Sequence, residues 1–298
     1  MRFETGINLS ARGDVGRELE EIRKVGYDCV YFDGDICLVD EKRFEEIRKE
    51  VEKAGIRVYS IHSPYFLPPF DKEVSWMVAI HKEVIRRAVA LGASCITHHP
   101  GEVLGLPGEE LLHLDTYIEK YGGRGEFEKR NYEIMEIILK ETEGYPITPT
   151  LENVPPPFGG NFATTPEKLK EVVDRFQGKF GICMDTGHAK GYGFDPAKML
   201  LEFGERIKET HFQDDRGKIS ERYEDNDLHL PVGLGIIDWF EIIQALVKID
   251  YRNPVVFEIG GRFLEEIKRR EIIELNLKNW RMMEEVAEKL PLKNESIL

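Results

Sequence analysis

Cysteine is scarce: four in 298 residues, Cys29, Cys37, Cys95 and Cys183, scattered and with no C-x-x-C pair. That spacing excludes a disulfide framework and a cysteine zinc site, and leaves the four as small buried apolar residues. No apolar run approaches the roughly 20 residues of a membrane helix. The first residues, MRFETGINLS, carry charges where a secretory signal would be apolar, so a soluble, cytoplasmic protein with no membrane partner is expected. No G-x-x-x-x-G-K-[ST] loop occurs, and GLGIID lacks the strand and helix that flank a dinucleotide site, which argues against a nucleotide cofactor. Basic residues are in deficit as well: 41 Lys plus Arg stand against 55 Asp plus Glu, a net charge of −14. A field of that sign repels DNA unless a local basic patch meets it.

What the chain has is repetition. Hydrophobic residues make up 41% and aromatics 10%, enough to bury a sizeable core. Short apolar, β-rich runs recur, each followed by a stretch with the helical period. FETGIN precedes Val15–Val25, DCVYF precedes Glu41–Ala54, RVYSIH precedes Glu73–Leu91, and SCITHH precedes Phe127–Lys140. PITPTLE precedes Glu167–Phe176, FGICMD precedes Pro196–Phe203, IKETHF precedes Trp239–Val247, and PVVFEI precedes Phe263–Leu290. Thr165, Pro166 and Glu167 make a helix start, and Gly26, Gly55 and Gly92 mark helix ends. Eight alternating units in just under 300 residues predict an α/β fold, a closed (β/α)₈ barrel forming one domain over residues 1–298. The longest departures, Gly101–Gly125 and Gln213–Ile236, follow strands four and seven and so belong to the C-terminal face, where barrels build their sites. The run Pro155–Pro157 with Gly159 and Gly160 reads as a stiffened loop of the same face, and Glu265–Leu290 as a helix covering the barrel.

The strand ends are rich in metal-ligand types. Strand three ends at His62 in IHSPY, strand four at His98 and His99 in THHPG, and strand five at Glu152 in TLENV. Strand six ends at Asp185, with His188, in CMDTGHA, strand seven at His211 in THFQDD, and strand eight at Glu258 in FEIGG. Asp227 and His229 follow in DLHLPVGLG, so six of the eight histidines fall at these positions, His81 and His113 being the others. One strand-end histidine alone is usually structural, and one strand-end acid often caps the next helix. Convergence at five or six ends is what points to metal. Carboxylate with imidazole and no thiolate suits Mn²⁺, Co²⁺, Mg²⁺ or Zn²⁺. Glu152, Asp185, His211 and Glu258, from strands five to eight, surround one ion in this reading and leave it open positions. Such an ion polarises a carbonyl or generates hydroxide. Glu152 and Glu258, on non-adjacent strands, suit the two faces of a sugar carbon as an acid/base pair.

These motifs resemble the xylose isomerase-like barrels, which include sugar isomerases or epimerases and endonuclease IV, and the resemblance runs over nearly the whole chain. Likeness to the epimerases implies one Mn²⁺-like ion on Glu152, Asp185, His211 and Glu258. It also implies an acid/base role for Glu152 and Glu258, and a small carbohydrate held by His188 and His62. The arginine that epimerases carry six residues past the strand-seven histidine is Gly217 here, with Arg216 beside it as the substrate-binding replacement. Likeness to endonuclease IV implies three zinc ions and cleavage of DNA at abasic sites. His62, His99 and Glu152 would then hold the first ion, Glu152 with Asp185, His211 and Glu258 the second, and His188, Asp227 and His229 the third. The loop DGDICLVDEK is short and acidic where the DNA-cutting relatives carry a longer basic one. Arg216, Lys218 and Arg222 are outnumbered by six acids in QDDRGKISERYEDND. Tyr65 and Phe66 read as pocket lining rather than a wedge into a duplex, and GLGIIDW and GGNFATTPEKL look more like the sugar-handling branch. The expectation is therefore a divalent-metal sugar isomerase or epimerase working through an enediolate. A trinuclear zinc phosphodiesterase, with nucleic acid as partner, is the alternative, and a homo-oligomer is left open.

Overall fold

The eight apolar runs become strands that are buried on both faces, as parallel strands must be when helices cover them. The protein is described by a computed structural model, in which residues 2–64, 74–100, 119, 122–154, 163, 165–219, 226–260, 264 and 267–290 are placed. The strands are β1 (Thr5–Leu9), β2 (Cys29–Phe32), β3 (Arg57–His62), β4 (Cys95–His98), β5 (Thr148–Glu152), β6 (Gly181–Asp185), β7 (Ile207–His211) and β8 (Val255–Phe257). They lie in the order β7-β6-β5-β4-β3-β2-β1-β8, each parallel to its neighbour. A parallel bridge between Phe212 and Phe257 joins the two ends, with Phe212 N–H donating to Val256 O at 2.8 Å and Glu258 N–H donating to Phe212 O at 3.1 Å. The fold is the expected single-domain (β/α)₈ barrel.

Among the described residues the α-helices are α1 (Val15–Val25), α2 (Glu41–Ala54), α3 (Val74–Leu91), α4 (Gly123–Thr142), α5 (Pro166–Asp174), α6 (Thr186–Gly191), α7 (Pro196–Phe203), α8 (Trp239–Lys248) and α9 (Arg269–Lys289). Asp14, Asp40 and Thr165 cap α1, α2 and α5 by accepting the N–H of the third residue on, satisfying donors that the helix leaves open. Gly26 closes α1 at φ +106°, a conformation costly to a side chain. One helix is not foreseen by periodicity: α6 is six residues long and starts because Asp185 accepts the His188 N–H at 2.6 Å. The first strand begins at Thr5 rather than Phe3, because Phe3 N–H donates to Glu284 at 2.8 Å and its ring packs 6.3 Å from Trp280. Trp280 of α9, fully buried against Phe257 and Trp239, makes that helix the cover expected of it. Among the described residues no helix is long and apolar enough to cross a membrane. Tyr65, Phe66, His113, Pro155–Pro157, Gly159, Gly160 and Arg222 lie outside the described residues.

Strand alternation separates the adjacent histidines of THHPG. His98 turns outward to His81 of α3, ring centroids 5.2 Å apart, and both are buried with no hydrogen bond at any ring nitrogen. Burial pushes His81 down to about 3. The folded chain thus refuses a proton that the unfolded chain accepts near pH 6.5. Stability from this group is fully present above that pH and is lost as the pH falls below it. Between pH 7 and pH 5 the loss comes to about 2 kcal/mol. Urea unfolding at the two pH values should show His81→Leu losing that much less than the wild type; parallel losses would contradict the assignment.

Candidate metal centre

Parallel strands that end on one face send their terminal side chains into one mouth, and here they gather around Glu152, buried at the end of β5. Its Oε2 lies 3.1 Å from His211 Nδ1, 3.2 Å from His99 Nε2 and 3.5 Å from His62 Nε2. Its Oε1 lies 3.1 Å from His188 Nδ1. His211 Nδ1 is also 3.0 Å from Glu258 Oε2, and the Nε2 atoms of His62 and His99 are 3.1 Å apart. Ligand atoms around a tetrahedral ion with bonds of roughly 2.0–2.1 Å are about 3.3 Å from one another. The observed spacings match donors that share an ion. His211 Nδ1 and Glu152 Oε1 are buried without a properly aligned hydrogen bond despite these neighbours, as expected of atoms that face a common point instead of each other.

Among the described residues two ligand groups without a thiol result: Glu152, Asp185, His211 and Glu258 form one, and His62, His99 and Glu152 the other, the donor atoms of each lying within 4.8 Å of one another. Glu152 belongs to both. Cys183, read from sequence as apolar filling, comes within the same 4.8 Å of Glu152 and His211. On the loop after β7, Asp227 Oδ2 lies 3.1 Å from His229 Nε2 and 3.8 Å from His188 Nε2. His229 is a non-glycine residue at φ +48°, a conformation that must be held by its surroundings. Its N–H donates to Gln213 Oε1 at 2.8 Å, and Gln213 Nε2 donates in turn to Asp185 Oδ2 at 3.0 Å and Asp227 Oδ1 at 3.2 Å.

Several of these supports escape sequence reasoning. Asn153 clamps Asp185, donating to its carbonyl at 2.8 Å and accepting its N–H at 2.7 Å. Tyr31 of β2 lays its ring against His211, centroids 4.6 Å apart. Asp214 accepts four N–H groups, from Asp215, Gly233, Ile237 and the Trp239 indole, at 2.8–3.2 Å, and so shapes the loop that carries Asp227 and His229. A Cβ at Gly235 would collide with Asp214 Oδ1 and Asp215 O, which explains the glycine. The clues were the residues adjoining the ligands, in LEN and HFQDD. Of the two parts considered for a strand-end acid, Asp185 takes the capping one through Oδ1, which starts α6, while Oδ2 accepts from Gln213 Nε2 and the residue also belongs to a group that could hold an ion. Arg216 is exposed, and among the described residues it makes no hydrogen bond or ion pair with the cluster.

Opposite charges dominate the electrostatics. Burial would raise Glu152, but the imidazoles of His211, His99 and His188 outweigh it and hold the carboxyl well below its usual range. Burial likewise opposes Glu258, yet His211 and His229 bring it down to about 2. Asp185 goes the other way, up to about 7: burial and the carboxylates of Glu152, Glu258 and Asp227 exceed the pull of His188. His229 is raised to about 10 because Asp227 overcomes the cost of burial. Protons therefore favour the imidazoles of His188, His211 and His229, which a metal ion would deprotonate on binding, whereas burial pushes His99 down to about 4.

A model of a family described as the xylose isomerase-like TIM barrel matches residues 19–281. The chain belongs to this family. Among its relatives in sequence, an uncharacterised protein of Methanocaldococcus jannaschii, MJ1311, is 30% identical over 212 residues, covering 70% of this chain and 64% of that one. A probable endonuclease 4 of Aquifex aeolicus is 25% identical over 298 aligned positions, 91% of this chain and 94% of that one. Among solved structures, an L-ribulose 3-epimerase superposes with a TM-score of 0.74 at 16% identity, covering 97% of this chain and 96% of that one. A D-tagatose 3-epimerase-like protein gives 0.70 at 19%, covering 95% and 98%. These structural likenesses establish the shared barrel. The chain is thus similar in sequence to a probable endonuclease and in fold to epimerases.

Proposed function

We propose that the chain is a divalent-metal-dependent sugar isomerase or epimerase. The observation that carries this reading is the placement of two carboxylates at an acidic mouth. Glu152 and Glu258 come from β5 and β8 and flank His211 Nδ1 at 3.1 and 3.0 Å. The Glu258 side chain is 21% exposed and the Glu152 side chain 1%, so a substrate meets Glu258 from the open side and Glu152 from the floor. One carboxylate takes a proton from the carbon beside the carbonyl, and the other, protonated at that point, delivers its own proton to the opposite face, through an enediolate of the substrate. A divalent ion held by Glu152, Asp185, His211 and Glu258 would polarise that carbonyl. His188 and His62 offer imidazoles to substrate hydroxyls. Asp33, at the end of β2, is pushed up to about 6 by burial, Glu258 and Asp35. Among the described residues no Lys or Arg pairs with Glu152, Asp185 or Glu258. A small neutral polyol suits such a mouth better than a polyanion does.

The second reading, a trinuclear zinc phosphodiesterase acting on DNA at abasic sites, is favoured by the His62, His99 and Glu152 group and by Asp227 between His229 and His188. Elemental analysis of the purified chain separates the two. One ion per chain with turnover of a ketose is expected; three ions with incision of an abasic duplex would sink the isomerase reading.

A further inference from the structure

Glu209 stands two residues before His211 on β7, so strand alternation turns both side chains the same way, into the barrel. Its carboxylate is wholly buried. Ser60 Oγ of β3 donates to Glu209 Oε1, and Thr97 Oγ1 of β4 donates to Oε2 at 2.5 Å, with the Thr150 hydroxyl of β5 a further 3.0 Å from Thr97 Oγ1. Oε1 lies 3.6 Å from His211 Nε2, too far for a hydrogen bond, and Nε2 is buried with no hydrogen-bond partner, so the carboxylate acts on it as a nearby negative charge. The other ring nitrogen, Nδ1, faces Glu152 and Glu258.

The interior of such a barrel is ordinarily filled by branched apolar side chains. A carboxylate there carries a desolvation cost of several kcal/mol, which hydroxyls from strands across the barrel offset but nothing in the fold demands. The proton transfer proposed above makes no use of it. A neutral imidazole has one N–H and one lone pair, and a negative charge beside one nitrogen favours the N–H at that nitrogen. Cys183, also near this ring, is only a weak acceptor.

We propose that Glu209 is a positioning residue of the metal centre: it selects the Nε2–H form of His211 and aims the Nδ1 lone pair at the point shared by Glu152 and Glu258. Ser60 and Thr97 are the props that keep its carboxylate in place, and Tyr31 confines the ring from the side. The proposal rests on the metal-centre reading common to both candidate chemistries, and needs no substrate for its test.

The full chain is stripped of metal and titrated with Co²⁺, whose visible absorption reports the ligand field. Glu209→Gln keeps the size of the side chain but removes its charge and brings N–H donors against the hydroxyls. It should bind Co²⁺ about 10–100-fold more weakly than the wild type, with a changed visible band and a metal-free unfolding midpoint close to wild type. Equal affinity and an identical band overturn the proposal. Should Glu209→Gln fail to fold, Thr97→Val removes one prop at constant shape, and is expected to weaken Co²⁺ binding several-fold; an unchanged affinity there overturns the proposal equally. A wild-type chain that binds no Co²⁺ overturns the centre itself, whereas a binding wild type with an indifferent Glu209→Gln overturns only the role of Glu209.

Discussion

Glu152→Gln should empty the centre and stop turnover. Glu152 is the residue common to both ligand groups, and His62, His99, His188 and His211 all approach its carboxylate within 3.5 Å. The amide has the same size but offers a neutral oxygen to the ion and turns an NH₂ toward imidazoles that need an acceptor. Loss of a general acid or base alone costs 10²- to 10⁴-fold, and loss of a ligand adds to it. A fall in kcat/KM of at least ~10³, about 4 kcal/mol of transition-state stabilisation, is expected. Steady-state kinetics and metal content measured on the same preparation check this. Wild-type turnover, or a full complement of ion, would remove the site described here under either chemistry.

The second large effect falls on stability. Asp214→Ala takes the acceptor from four N–H groups: those of Asp215, Ile237 and the Trp239 indole, which are buried, and that of Gly233, an exposed residue. Each orphaned donor costs about 1–3 kcal/mol where water cannot replace the partner. Relaxation of the loop recovers part of it, which leaves a net loss of about 3–5 kcal/mol. For a chain of this size that lowers the unfolding midpoint by on the order of 10 °C. Activity should fall as well at temperatures where the chain is still folded, because Asp214 pairs with Leu230 through the backbone and so sets the segment that presents His229. Asp214→Asn keeps one acceptor oxygen and should recover part of the midpoint. Calorimetry of the two variants is the measurement, and an Asp214→Ala midpoint within 2 or 3 °C of wild type would show that the loop satisfies its donors another way.

The barrel was legible because its determinants are local. Each strand is a short apolar run, each helix shows its period within three turns, and Asp14, Asp40 and Thr165 cap from three residues away. The convergence at the mouth was legible for a related reason: once eight parallel strands close, their C-terminal residues must share one mouth, and Glu152, Asp185, His211 and Glu258, read off the strand ends, come together there. The helix α6 was not legible, being six residues started by one capping bond, and too short to show a period.

What remained hidden is hidden for a physical reason. His98 and His99 are neighbours in one motif, yet His99 faces Glu152 and His98 is buried against His81, because a strand alternates and only the register of β4 decides which residue points inward. Asp185 and Asp214 are both acids at the ends of strands, and they differ in what approaches them. Imidazoles and carboxylates gather around the first in a group that could hold an ion, and four N–H groups from as far as Trp239 make the second a brace. Glu209 looks from its sequence like any charged residue of a surface strand and lies wholly inside the barrel beneath His211. The sequence by itself determined the eight units, their closure and the chemical types at the mouth, since these follow from periodicity and topology. The tertiary structure alone decided which acid joins the cluster of candidate ligands, which braces the loop and which lies buried beneath His211, since those places depend on partners brought together from distant parts of the chain.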